Sequence, residues 1–157
     1  MFWPERRRSA RKRGDVAEAE PLRSGEIVMA EIGSDRGLIY IIDDDVSFRE
    51  AIEGMVVSFG YRARSFGSAG EFLRQADHRG ALCLIIDVRM AGMNGLDLQA
   101  ALTAQGSSPP TIFVSSVDDQ HVRARALDRG AIAFFGKPFD RNALMAQIDR
   151  LAAVERV

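Results

Sequence analysis

Four short apolar runs, Leu38–Ile42, Leu82–Ile86, Ile112–Val114 and Ile132–Phe135, recur along the chain with no charged residue inside them. A strand with one face in water alternates apolar and polar side chains, whereas a continuous run is buried on both faces. Such strands belong in a parallel sheet sandwiched between helices. A weaker run, Tyr61–Phe66, alternates instead. Between the runs lie segments of helical period. Phe48, Ile52, Met55, Val56 and Phe59 fall on one face, as do Leu144, Ile148 and Leu151. Ser68 and Glu71 have the spacing of a capping box ahead of Phe72 and Leu73. Gly130 follows Leu127 where a helix C-terminus is expected, and Asp140 is suited to cap the last helix. The order is strand then helix, five times over. The predicted fold class is α/β, a doubly wound five-stranded parallel sheet.

Residues 1–36 differ in character. They carry Pro4, Pro21 and several glycines, with Arg6-Arg7-Arg8 and Arg11-Lys12-Arg13 among acidic residues, and no sustained period. This segment reads as a disordered leader, and 37–157 as one domain. Net charge over the 157 residues is −1, so nothing global points to nucleic acid. No apolar stretch approaches the ~20 residues needed to span a bilayer. The basic start lacks the apolar segment of a secretory signal. A single cysteine, Cys83, excludes an internal disulfide and sits in an apolar run, where a buried small hydrophobe is expected. Cytoplasmic placement is the expectation.

Right-handed crossovers bring the C-terminal ends of parallel strands to one edge, where open α/β sheets keep their ligand sites. The first strand ends in Asp43-Asp44-Asp45, the third in Asp87, the fourth in Ser115-Ser116 and the fifth in Lys137-Pro138. Asp45 reads as the N-cap of the next helix. The carboxylates of Asp43, Asp44 and Asp87 would repel one another by roughly 4 kcal/mol per pair at ~4 Å and an effective dielectric of ~20. Such a cluster calls for a cation, and all-oxygen ligands favour magnesium. Magnesium readily adds phosphate oxygens, so a phosphorylated ligand or intermediate is expected. Lys137 and the Ser115 hydroxyl are suited to its oxygens, and a central aspartate to covalent acceptance.

These residues carry a family resemblance. Ile41-Ile42-Asp43-Asp44-Asp45, the run from Ile86-Asp87 to Asn94-Gly95, Val114-Ser115-Ser116 and Lys137-Pro138-Phe139 together resemble the response-regulator receiver domain. This is the chemotaxis-regulator type of flavodoxin-like fold, and the likeness spans residues 38–154. The wording of the motifs is similar to the nitrogen-fixation-regulator subgroup, whose receivers usually precede a DNA-binding domain. The resemblance implies Asp87 as phosphoacceptor. It implies Mg2+ held by Asp44, Asp87 and the backbone carbonyl of Arg89, with Asp43 acting through water. Ser115 becomes the switch hydroxyl, Phe134 the aromatic that turns inward, and the Lys137–Pro138 bond cis. The implied partners are a sensor histidine kinase or phosphotransfer protein and a downstream protein target, with homodimer formation on phosphorylation a further option. Catalysis is limited to the protein's own phosphotransfer and dephosphorylation, so it is not an enzyme in the ordinary sense. Only a few residues follow the last predicted helix, so no DNA-binding output domain is expected in this chain.

Two positions depart from the family pattern. Ala91 stands where proline is usual, which predicts a slightly looser loop, and Arg89 places a bulky cation beside the site. Two other readings compete. Asp43-Asp44-Asp45-Val46 also fits the nucleophile motif of haloacid-dehalogenase-type phosphatases. No acidic pair follows Lys137, however, and Asp87 then has no role. A degenerate receiver serving as a plain binding module is the other, against which the intact set Asp43, Asp44, Asp87, Ser115 and Lys137 argues.

Overall fold

The computed structural model describes residues 35–107, 109–117 and 119–155. Strands and helices alternate: β1 (Leu38–Ile42), α1 (Val46–Ser58), β2 (Arg62–Phe66), α2 (Ala69–Gln75), β3 (Cys83–Asp87), α3 (Gly95–Ala104), β4 (Thr111–Ser115), α4 (Gln120–Asp128), β5 (Ala133–Gly136) and α5 (Arg141–Glu155). All pairings are parallel, and the sheet order is β2-β1-β3-β4-β5. The doubly wound fold expected above is the one found.

Burial explains why the strands read so differently. Central β3 and β4 are buried along their whole length. Edge strand β2 hides Ala63 and Phe66 while Arg62 and Arg64 stay half-buried, hence its weak alternating signal. Successive side chains of a strand point to opposite faces. Ile39, Ile41, Cys83, Ile85, Ile112 and Val114 accordingly pack against Ile52 and Val56 of α1 and Leu144 and Ile148 of α5. Tyr40, Ile42, Leu84, Ile86 and Phe113 pack against Phe72 of α2, Leu98 and Leu102 of α3 and Ala126 of α4. Burial pushes the Cys83 thiol up to about 12, so it remains a neutral core group.

The helix ends follow their local chemistry. Ser68 Oγ accepts from the Glu71 amide at 3.1 Å. Glu71 returns a bond to the Gly67 amide at 2.9 Å, one residue earlier than a capping box requires. Asp140 Oδ1 accepts from the Asn142 amide at 2.8 Å at the head of α5. Gly130 takes a φ of +99° just beyond α4, a conformation that costs glycine little.

One expectation needs correction. Phe59 shares the sequence period of α1 but is 43% exposed, because it lies past the last helical residue as the chain turns into Gly60. Asp35 and Arg36, read from the sequence as the end of the leader, make contacts with the domain. Asp35 Oδ1 lies 2.9 Å from Arg62 Nε, and Arg36 donates to the Phe59 carbonyl at 3.0 Å with its guanidinium 4.6 Å from the Tyr61 ring centre. The rest of the leader, 1–34, lies outside the described residues.

Candidate phosphoacceptor and metal site

Register decides what gathers at the C-terminal edge. Ile42 pairs with Ile86, Asp87 with Val114, and Ser115 with Gly136, so the ends of β1, β3, β4 and β5 lie side by side. The polar residues that follow are thereby brought together: Asp43 and Asp44, Asp87, Ser115, and Lys137.

Asp43 is fully buried. Its Oδ1 accepts from the Asp45 amide at 2.9 Å and its Oδ2 from Lys137 Nζ at 2.7 Å. The backbone beneath is fixed as well, since Asp43 donates to the Phe66 carbonyl at 3.1 Å and its own carbonyl accepts from Arg49 Nη1 at 2.9 Å. Asp45 caps α1 through a 3.1 Å bond from the Phe48 amide, the role read for it in the sequence. Asp44 is exposed, and its Oδ2 accepts from the Ala91 amide at 3.3 Å. That bond bears on the missing proline. Proline has no amide hydrogen to donate, so Ala91 gives the loop after β3 a tie to Asp44 where a looser loop was expected.

Asp87 is buried, 4% exposed. Its Oδ1 accepts from the Arg89 amide at 3.3 Å, and its Oδ2 lies 3.9 Å from Lys137 Nζ. Burial pushes its carboxyl up to about 7, and the negative Asp43 adds to the rise; Lys137 and the Arg89 amide pull the other way. One carboxylate oxygen each from Asp43, Asp44 and Asp87 lie within 4.8 Å of one another. A hard oxygen-only donor set with excess negative charge suits magnesium. One ammonium cannot neutralise three carboxylates, and a divalent ion can.

Ser115 is 1% exposed, and its Oγ accepts from the Val117 amide at 3.1 Å. Its hydroxyl hydrogen is thereby left to donate elsewhere. Phe134 is 6% exposed and so lies inward. The Arg123 guanidinium stands 4.7 Å from its ring centre and donates to its carbonyl at 3.1 Å. The side chain of Arg89 is exposed. The Lys137–Pro138 bond is cis.

Three further residues shape the site without having been singled out. Phe48 read only as part of an apolar helix face, yet Lys137 Nζ lies 3.9 Å from its ring centre. Arg49 follows it. Gly95 lies against the Asp87 backbone so closely that a Cβ there would stand 2.5 Å from the Asp87 carbonyl oxygen. Its place inside the Asp87 motif was the available signal; no periodicity marks a close approach.

Comparison with known proteins agrees with this geometry. The family described as Response regulator receiver domain matches residues 39–149. The response regulator protein TmoT of Ectopseudomonas mendocina is 39% identical over 124 residues, covering 79% of this chain and 56% of that protein. The response regulator protein TodT of Pseudomonas putida is 41% identical over 116 residues, covering 73% of this chain and 51% of that protein. A response regulator receiver protein from Pseudoalteromonas atlantica has the same fold, with a TM-score of 0.71 at 26% identity, covering 75% of this chain and 98% of that one. The chain spans about half the length of the curated relatives it matches. The phosphatase reading of Asp43 falls with these matches, and the chain belongs to the response-regulator receiver family of two-component signalling.

Proposed function

We propose that Asp87 accepts a phosphoryl group from a phosphohistidine on a sensor histidine kinase or phosphotransfer protein. The observation that carries this reading is the gathering of Asp43, Asp44 and Asp87 oxygens within 4.8 Å, with Lys137 Nζ 2.7 Å from Asp43 and 3.9 Å from Asp87. Asp44, Asp87 and the Arg89 carbonyl would hold Mg2+ directly and Asp43 through water. When bound, the ion supplies Lewis-acid stabilisation of charge on phosphoryl oxygens.

The rest falls to the chain's own groups. An Asp87 carboxylate oxygen attacks phosphorus in line, the phosphorus–nitrogen bond breaks, and the electron pair leaves with the imidazole. Lys137 sits beside the acceptor and can turn a hydrogen from Asp43 toward an equatorial oxygen. Ser115 offers its hydroxyl hydrogen to another. The acyl phosphate adds about −1.5 to −2 charges. Contacts from Ser115 and Lys137 that exist only in that state bias the ends of β4 and β5 toward a second arrangement, in which Phe134 keeps its inward position. A shift from mostly off to mostly on takes roughly 5 kcal/mol of differential contact, within reach of a few charge-assisted hydrogen bonds. Hydrolysis by water ends the signal: it breaks the acyl phosphate, regenerates the free Asp87 carboxylate and releases inorganic phosphate. Output is by protein–protein contact, with a homodimer or a downstream protein as the target. Among the described residues no helix is long and apolar enough to cross a membrane, which agrees with a cytoplasmic setting.

The test is incubation with acetyl phosphate and magnesium, read by intact mass. The wild type should gain one phosphoryl group and Asp87→Asn none. A wild type that gains no mass, or an Asp87→Asn protein that still gains it, would count against Asp87 as acceptor.

A further inference from the structure

Lys137 is held on three sides. Its ammonium lies 2.7 Å from Asp43 Oδ2, 3.9 Å from Asp87 Oδ2 and 3.9 Å from the centre of the Phe48 ring, and its side chain is only 17% exposed. Phe48 lies in the first turn of α1, two residues after Val46, where the Asp45 cap fixes its backbone. The ring is steadied from its other neighbours too, at 6.0 Å from Phe139 in an edge-on arrangement. A helix face that reads in the sequence as ordinary core therefore ends on a charged group.

The two kinds of contact differ in a way that matters for a moving lysine. The bond to Asp43 is short, charge-assisted and directional. The attraction of an ammonium for an aromatic face is electrostatic, arises from the ring quadrupole and tolerates lateral displacement over the face. Lys137 is paired with Asp43 here, yet the proposed reaction needs it on a phosphoryl oxygen at Asp87. If water covered its open side, the ammonium could leave the site on releasing Asp43. With a ring there, it can slide.

We propose that Phe48 is a positioning residue, whose ring face retains the Lys137 ammonium as it passes from Asp43 to an oxygen of the phosphoryl group. This rests on the reading of Asp87 as phosphoacceptor, whereas the contact itself can be judged separately. Phe48 touches no reacting atom and acts only through the lysine.

The chain has two lysines, Lys12 and Lys137, which makes the contact directly observable. In protein labelled with carbon-13 at the lysine side chains, the ε-methylene of Lys137 should resonate upfield of that of Lys12 because of the ring current. Phe48→Leu should abolish the difference. No upfield shift, or one that persists in Phe48→Leu, would overturn the contact. The second measurement uses full-length protein with mono-, di- and trifluorophenylalanine at position 48, a series that weakens the face potential stepwise at nearly constant shape. The rate of phosphorylation by acetyl phosphate in saturating magnesium should fall stepwise, by about three- to tenfold across the series. Unfolding midpoints should fall only slightly along the series, leaving every variant folded at the assay temperature. A rate unchanged across the series, with wild type phosphorylated and the lysine resonance shifted, would overturn the positioning role while leaving Asp87 as acceptor. Failure of wild type to accept phosphate would instead strike the acceptor reading, and the lysine resonance would still decide the contact.

Discussion

At Asp87 two demands conflict. The carboxyl is buried beside Asp43, and both facts oppose its ionisation, so its pKa rises to about 7. A group whose folded pKa exceeds its unfolded value near 3.8 binds its proton more tightly in the folded state. Below pH ~4 it is protonated in both states and costs nothing. As pH climbs from about 4 to about 7 the unfolded chain ionises while the folded one keeps its proton, and stability is lost at up to about 1.4 kcal/mol per pH unit, levelling off above the folded pKa. In chelator-treated protein, Asp87→Asn should therefore be more stable than wild type by at least about 1 kcal/mol at pH 8. The advantage should shrink toward pH 4. Urea unfolding at several pH values measures it, and an advantage that is absent or that grows as pH falls would contradict the assigned environment. The carboxylate cluster itself was legible in the sequence, because apolar strands and parallel crossovers dictate where their ends meet. The Ala91 amide on Asp44 and the Phe48 ring on Lys137 were not. Neither leaves a trace in residue type or spacing, since both depend on the path of a loop and the rotamer of a single side chain.

Among the elements, α3 bears most closely on the acceptor. Asn94 caps it through a 2.9 Å bond from the Asp97 amide, and the Gly95 amide donates to the Val88 carbonyl at 3.0 Å. These bonds draw the head of the helix onto the end of β3. In an exposed helix alanine would be favoured over glycine by about 1 kcal/mol. Here the added methyl would meet the Asp87 carbonyl oxygen at 2.5 Å and Ile86 Cγ2 at 2.9 Å, and neither buried β3 backbone nor core can yield cheaply. The clash should win. Gly95→Ala is expected to lose about 1–3 kcal/mol of stability and to slow phosphorylation by displacing the Asp87 loop. An unfolding midpoint equal to or above that of wild type would show that α3 is not seated on Asp87 as described. The helices and strong strands could be read from period and caps. Edge strand β2 was faint because only Ala63 and Phe66 face the core, and the end of α1 was misjudged because Phe59 keeps the helical period one residue after the helix stops.

Across the whole molecule, a two-faced core fixes five strands so that four separate stretches of chain deliver polar groups to one edge, three of them charged. The fold thus stores like-charge repulsion that a divalent cation can relieve. Binding to the folded state alone stabilises by RT ln(1 + [L]/Kd), about 1.4 kcal/mol at tenfold excess over Kd. Magnesium should accordingly raise the melting temperature of the wild type more than that of Asp87→Asn, whereas equal shifts would mean that Asp87 is not a ligand. Which side chain carries the phosphoryl group is the decisive question. Borohydride reduces an acyl phosphate of aspartate to homoserine, so reduction of the phosphorylated protein followed by peptide sequencing identifies the acceptor. Homoserine at position 87 is the predicted result; homoserine at position 43, with Asp87 intact, would contradict the account.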